Sequence, residues 1–237
     1  MKRKKLNALN VETNLKIDYC SYDACKYAVK HWHYSKCLPA GRLLKYGVWE
    51  DEKFIGCIIF SHGATNLIGK GYNLTQFECV ELTRIALSKH NNKLSKILSI
   101  VIKKFKKKNP NIKLIISYAD SEQNHLGIIY QATNWIYTGY SVDTNLIING
   151  KRYHRRSASS KFGTSSFEKL KKVYGKKIML IKTKPKFKYL YPITKKVKNE
   201  ILKLSKPYPK NICDSSVTGS TSAFQAGSNV RVNSIAQ

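Results

Sequence analysis

Residues 111–140, NIKLIISYADSEQNHLGIIYQATNWIYTGY, constrain this chain more than any other stretch. The apolar run at 112–118 is too short for a helix and lies between Pro110 and Asp120, so it predicts a buried strand. A polar loop, DSEQNHLG at 120–127, follows it. From Gly127 the spacing of Ile128, Ile129, Ala132 and Trp135 predicts a short amphipathic helix. Strand, polar loop and helix make a frame for a site, because ligands collect at the carboxyl ends of strands in sheets with helical crossovers. Tyr118, Asp120, Asn124 and His125 stand at that end. Asp120 has two readings, a cap for the turn or helix and a working carboxylate, and the loop alone does not separate them.

The length of 237 residues suits one substantial core with extensions, and 42% hydrophobic residues are those of a globular protein. Against that ordinary background stands a charge imbalance: 43 Lys and Arg face 14 Asp and Glu, a formal +29. Such a surface repels itself unless a polyanion supplies counter-charge, and nucleic acid is the first candidate. An anionic membrane is less suited, since no apolar run approaches the ~18 residues needed to span one. The start, MKRKKL, is basic but lacks the apolar segment of a signal peptide, so a cytoplasmic protein is expected. Cys20, Cys25, Cys37, Cys57, Cys79 and Cys213 form no C-x-x-C pair and read as small core residues in a reducing compartment.

Residues 1–15 read as a basic flexible arm, 16–210 as one domain, and 211–237 as a disordered low-complexity tail rich in Ser, Thr, Asn, Gly and Ala. Tyr22, Cys25, Ala28 and Val29 suggest a helix that runs into His31-Trp32-His33-Tyr34 before Pro39-Ala40-Gly41 stops it. Were that tetrapeptide extended, the two histidines would share a face and could hold a metal; at helical spacing they diverge. The runs at 44–49 and 54–60, joined by EDEK, predict an antiparallel hairpin. The glycine-rich loop at 61–73 lacks phosphate-cradle spacing and reads as a flexible lid. A strand over 77–87 would place Glu78 and Arg84 on one face and Glu81 on the other. Leu94, Ile97, Leu98, Val101, Ile102 and Phe105 follow helical spacing, ending in a lysine cluster. Asn149-Gly150 marks a hairpin whose second strand ends in Arg152, His154, Arg155 and Arg156. In KTKPKFKYLYPITKK at 182–196, lysines such as Lys186 interleave with Phe187, Tyr189 and Tyr191. That alternation suits a nucleic-acid strand, although an edge strand guarded by lysines would look the same.

The order strand, hairpin, strand, amphipathic helix, strand, short helix, final hairpin is that of the acetyltransferase-like (GNAT) fold, an α+β class with a mixed, mostly antiparallel sheet flanked by helices. More narrowly, the chain resembles the phage Mom family of DNA-modification proteins. The resemblance rests on His33-Tyr34, Glu81-Leu-Thr-Arg84, Tyr118-Ala-Asp120, His125-Leu-Gly127, Ile129-Tyr-Gln-Ala-Thr-Asn134, Tyr137-x-Gly139 and the basic aromatic end near Tyr191. It implies hypermodification of adenine in double-stranded DNA to a carbamoylmethyl-amino base that blunts host restriction. The functional positions it implies are His33, Tyr34, Arg84, Asp120 and Tyr130. Acetyltransferases of the wider fold hold the pyrophosphate of coenzyme A on a glycine-rich turn opening the central helix. Here the corresponding loop, SKHNNKLS at 88–95, contains no glycine.

On this reading Asp120 deprotonates the adenine amine, Arg84 meets the developing charge and Tyr130 protonates the leaving group. The base would be flipped out and stacked on Tyr34, Trp32 or Trp135. The donor is expected near Glu81, Arg84, Ser88, Asn124 and His125, and nucleic acid near Trp32, Arg152, His154, Arg155, Arg156, Lys186, Tyr189 and Tyr191. The donor is an activated glycyl or acyl group, carried by aminoacyl-tRNA or acyl-CoA; a rival scheme uses iron at His33, Tyr34 and Asp120. Two alternatives from other classes are a coenzyme A-dependent N-acetyltransferase and a non-catalytic basic nucleic-acid-binding protein.

Overall fold

The computed structural model describes residues 14–210 apart from Ala64 and Asn66. The arm at 1–15, except its last two residues, and the tail at 211–237 lie outside the described residues. In chain order the elements are β1 (Leu15–Tyr19), α1 (Tyr22–Trp32), β2 (Leu43–Glu50), β3 (Lys53–Ser61), β4 (Cys79–Leu87), α2 (Leu94–Lys108), β5 (Leu114–Asp120) and α3 (Ile128–Ala132). There follow β6 (Ile136–Ser141), β7 (Thr144–Ile148), β8 (Lys151–His154), α4 (Arg155–Phe162), α5 (Phe167–Tyr174), β9 (Ile178–Lys182), β10 (Lys186–Pro192) and α6 (Lys195–Leu202). The fold is of the expected α+β class, a mixed, mostly antiparallel sheet flanked by helices.

The main sheet has seven strands in the order β1-β2-β3-β4-β5-β10-β6. β2 and β3 form the expected hairpin, turned by Asp51 and Glu52, both with positive φ. That pair of left-handed residues gives the twist a two-residue hairpin needs. α2 lays Ile97, Leu98, Val101, Ile102 and Phe105 on one face, against Tyr46, Ile58, Phe60, Leu82 and Ile115. Each such fully buried side chain contributes roughly 1.5–3 kcal/mol. The opposite face is covered by α1, through Cys25, Ala28 and Val29 on Cys57, Ile59 and Ala86, and by α6, through Val197 and Ile201 on Leu114 and Leu190.

Two irregularities open this sheet. β4 and β5 are parallel and pair only from Cys79↔Leu114 to Glu81↔Ile116. Beyond Ile116 β5 runs on to Asp120 while β4 runs on to Leu87, so a wedge opens between them. The β3–β4 register also slips, from Ile59↔Arg84 to Phe60↔Leu82, which leaves Thr83 as a bulged residue. A strict two-residue period puts Glu81 and Arg84 on opposite faces. The extra residue corrects that expectation: it turns Arg84 to the side of Glu81, and both line one cavity.

The end of the chain departs from the expected single final hairpin. β7 and β8 do pair through Asn149-Gly150, but they join β9 in a separate sheet of order β8-β7-β9 with its own core of Leu146, Ile148, Ala158, Leu170 and Ile178. β8 ends at His154, and Arg155 and Arg156 begin α4 instead of extending the strand. β10 then returns to the main sheet and inserts between β5 and β6, antiparallel to both. It is therefore an interior strand, which overturns both readings of the lysine–ring alternation. Tyr189 is fully buried, and Phe187 and Tyr191 pack on the main core, so these rings are not a base-stacking surface. The alternation is that of a strand with rings on one face and Lys186 and Lys188 on the other, where both lysines line a cavity.

Candidate functional site

The wedge between β4 and β5 is where the site lies. α1 ends at Trp32, with the backbone amide of His33 donating to Val29 O, and the chain then leaves the helix toward the wedge. The break separates the two histidines. His31 Nδ1 sits 2.8 Å from Tyr27 O on the outside of α1, whereas His33 is buried beneath Tyr34 with ring centroids 4.4 Å apart.

Asp120, the last residue of β5, caps the turn that follows it and also faces Tyr34. Its Oδ1 accepts from the Glu122 amide at 3.0 Å and caps a 3-10 turn at 121–123. Its Oδ2 accepts from the Tyr34 hydroxyl at 3.3 Å. Two donors therefore fix the carboxylate. Burial and then the Asp120 charge raise the Tyr34 phenol above its ordinary range, so it remains a proton donor at neutral pH. His125 meets Tyr34 edge-on at 5.8 Å. Across the wedge, Arg84 is held by main-chain acceptors: Nε donates to Cys37 O at 3.3 Å and Nη1 to Thr83 O at 2.8 Å.

His33 accepts a hydrogen bond at Nδ1 from the Ser35 amide at 3.1 Å, which leaves the ring proton on Nε2. Burial first, then the charges of Arg84, His125 and Lys36, push its pKa down to about 4. The folded value lies below the unfolded one. Its stabilising contribution is thus complete above about pH 6.5 and is lost progressively as pH falls toward 4. Proton NMR should record a His33 midpoint near 4; a midpoint above 6 would mean a hydrated ring and a different tautomer.

Behind the wedge, Ser117 Oγ lies 2.7 Å from both Leu82 O and Tyr130 Oη. It bridges the backbone where β4 and β5 stop pairing. Tyr130 on α3 is buried in the core, and burial raises its phenol to about 12. Gly127, at φ +76, opens α3, and a Cβ there would lie 2.3 Å from the Tyr189 ring, so the polar loop closes directly on β10.

Two cavities meet at this point. The larger, about 1090 Å³, is lined by Glu81, Tyr72, Lys186, Lys188, His154 and Lys206 among others. The smaller, about 540 Å³, is lined by Trp32, His33, Leu94, Asn124, His125 and Tyr130 among others. Tyr34, Thr83, Arg84, Tyr118 and Asp120 line both. Burial and the charges of Glu81 and Asp143 raise the Tyr118 phenol to about 12, so between Arg84 and Asp120 it stands as a neutral hydrogen-bonding group.

The structure therefore gathers His33, Tyr34, Glu81, Arg84, Asp120, Asn124, His125, Tyr130, Trp32, His154 and Lys186 around one space. Other expected residues fall elsewhere. Ser88 lines neither cavity; it continues the β3–β4 pairing, and its amide donates to Ile55 O at 2.8 Å. Arg152 is paired with Glu122 at 2.8 Å, tying the smaller sheet to the site loop. Arg155 is drawn inward, donating from Nε to Thr144 Oγ1 and from Nη1 to Ser165 O. The Arg156 side chain lies outside the described residues. Trp135 is fully buried against Tyr130 and Tyr191, so it is no stacking surface for a base.

In the glycine-free loop before α2, the amides of Asn91 and Asn92 and the Asn92 side chain all donate to the buried Glu50 carboxylate, at 2.7–3.2 Å. That internal carboxylate takes two amides of the loop, while Leu94, the first residue of α2, lines the smaller cavity. For iron, no group of three or more His, Cys, Asp or Glu is gathered among the described residues. His33 Nδ1 is turned to Ser35 and Asp120 Oδ2 to the Tyr34 proton, so His33, Tyr34 and Asp120 do not fit as a ligand set.

A family model described as the Mom protein family matches residues 14–210, the whole span from β1 through α6. The chain belongs to the Mom family. The methylcarbamoylase mom of Escherichia phage Mu is 23% identical over 144 residues, 59% of this chain and 60% of that protein's length. Among solved structures, a candidate acetyltransferase of Acinetobacter baylyi ADP1 is similar with a TM-score of 0.44 and 9% identity, over 77% of this chain and 94% of that one. An acetyltransferase of Bacillus subtilis in complex with CoA gives a TM-score of 0.40 and 11% identity, over 77% and 100%. No helix among the described residues of this Mom-family chain is long and apolar enough to cross a membrane.

Of the lysines on the larger cavity, the sequence reading covered Lys186 and, within the run at 182–196, Lys188, but missed Lys203 and Lys206. These two lie at and beyond the end of α6, and Lys206 is placed by its amide donating to Tyr137 O at 2.9 Å. In a chain with 43 basic residues nothing local distinguishes them.

Proposed function

We propose that this Mom-family protein is a group transferase acting on the exocyclic amine of adenine in double-stranded DNA, converting it to a carbamoylmethyl-amino base that shields phage DNA from host restriction. The observation that carries this reading is the pair of cavities meeting at Tyr34, Arg84 and Asp120. A transferase must bring two substrates to one point, and a binding protein has no need of such a junction. The larger cavity, with Lys186, Lys188, Lys203 and Lys206, suits a flipped nucleotide and its flanking phosphates. The smaller and less polar one suits the donor.

The donor is an activated glycyl ester, and aminoacyl-tRNA supplies that bond without a pyrophosphate site. Asp120 takes a proton from the adenine amine as its nitrogen attacks the ester carbonyl, while Arg84 stabilises the carbonyl oxygen. The ester oxygen leaves as an alcohol, protonated from Tyr34 or Tyr130. The free amine of the attached glycyl group then attacks the ring carbon bearing the amide, and the carbon–nitrogen bond to that amide breaks. The former adenine nitrogen ends as the carbamoyl nitrogen, and the glycine nitrogen as the new exocyclic one. No redox step is required.

The test is mass spectrometry of nucleosides from plasmid DNA of cells making the protein. A heavier adenosine that incorporates isotope from labelled glycine is the expected result. Unmodified DNA beside abundant soluble protein would count against transfer to DNA, and a modified base without glycine label would count against the donor. Titration of the purified protein with coenzyme A is expected to show no saturable binding, since the loop before α2 is glycine-free and Glu50 takes two of its amides; saturable binding would favour the N-acetyltransferase alternative.

A further inference from the structure

We propose that α1 is a docking rail for an unpaired strand of nucleic acid whose end enters the smaller cavity. Rings and cations do interleave on this surface, but on α1 and not on β10. Tyr27 is 52% exposed, stacks on His31 at 4.1 Å and 29°, and meets Trp32 edge-on at 5.4 Å. Lys26, Lys30 and Lys36 are exposed beside them, and Asp23 is the only acid between Tyr22 and Lys36. The rings thus run from solvent to Trp32 and Tyr34, which line the smaller cavity.

The chemistry selects the partner. Rings left open beside lysines offer stacking to bases and attraction to phosphates. Bases in a duplex are already stacked on both sides, so only an unpaired strand gains from Tyr27 and His31. From Tyr27 to Trp32 the helix rises about 7.5 Å, room for about two stacked bases. The inference rests on the proposed function at one point, that the smaller cavity receives the donor: the strand's end would carry the activated ester toward Asp120.

The test measures binding directly, with a labelled single-stranded oligonucleotide of about ten nucleotides, a duplex of equal length, and vesicles containing anionic lipid. Tyr27→Ala should weaken the single strand about tenfold and leave the duplex within about twofold, and Tyr27→Phe should restore it. Equal loss for both oligonucleotides, no loss at all, or a loss confined to vesicles would overturn the rail. The two readings fail separately. Wild-type protein that binds single strands through Tyr27 but leaves cellular DNA unmodified removes the transferase and keeps the rail. Modified DNA with Tyr27→Ala binding single strands like wild type removes the rail alone.

Discussion

Asp120→Asn is expected to lower the yield of modified adenine about 10²- to 10⁴-fold, the range for losing a positioned general base. The substitution is nearly isosteric. An amide oxygen at Oδ1 can still accept from the Glu122 amide, so the 3-10 turn and the end of β5 keep their shape. What is lost is the second oxygen, the acceptor that faces Tyr34 and the cavity junction. The variant should therefore melt within a few degrees of wild type while its DNA digests to nearly unmodified nucleosides. Modification within tenfold of wild type would remove Asp120 from the chemistry and reduce it to a cap. Tyr34→Phe gives the companion reading, since it removes a donor to the carboxylate and leaves the ring that covers His33.

Gly56→Ala should cause the largest loss of stability of any single methyl added to the described residues. Gly56 sits at φ +139 where the β2–β3 register slips, and a Cβ there would lie 2.0 Å from the Ala86 carbonyl oxygen of the neighbouring strand. Both strands are central, so neither can yield without disturbing the faces under α1 and α2. Overpacking and backbone strain together are expected to cost about 3 kcal/mol or more. Gly150→Ala is the control: its φ is also positive, at +74, but nothing lies within 4 Å. Chemical denaturation should separate the two midpoints clearly. Similar midpoints would mean that the β3–β4 contact adjusts at little cost.

Much of the fold could be read from local pattern. The β2–β3 hairpin, α2, the β5-loop-α3 unit and the Asn149-Gly150 turn each carry their own periodicity or turn residues. The site residues at the end of β5 followed from that unit. What could not be read depends on pairing between distant segments. The bulge at Thr83 exists only in the register of β3 against β4, and it decides that Glu81 and Arg84 share a cavity. The rings of β10 were misread because lysine–aromatic alternation is the same whether the rings face water or a core. Only the insertion between β5 and β6 decides which. Lys206 and Glu50 act at positions set by tertiary contacts, with no local signature.

The placement of β10 also sets an order of assembly. β5 emerges from the ribosome early, yet its partner strand comes only after the smaller sheet and its two helices have been made. The smaller sheet pairs at shorter separations, from Ile148↔Lys151 to Thr144↔Lys182, than β5 with β10, from Asp120↔Lys186 to Leu114↔Pro192, so closing the main sheet needs the longer loop to be drawn shut. Until then the nascent chain exposes an open edge along 114–120, and translation interrupted before Lys186 should yield an aggregating fragment with no working centre.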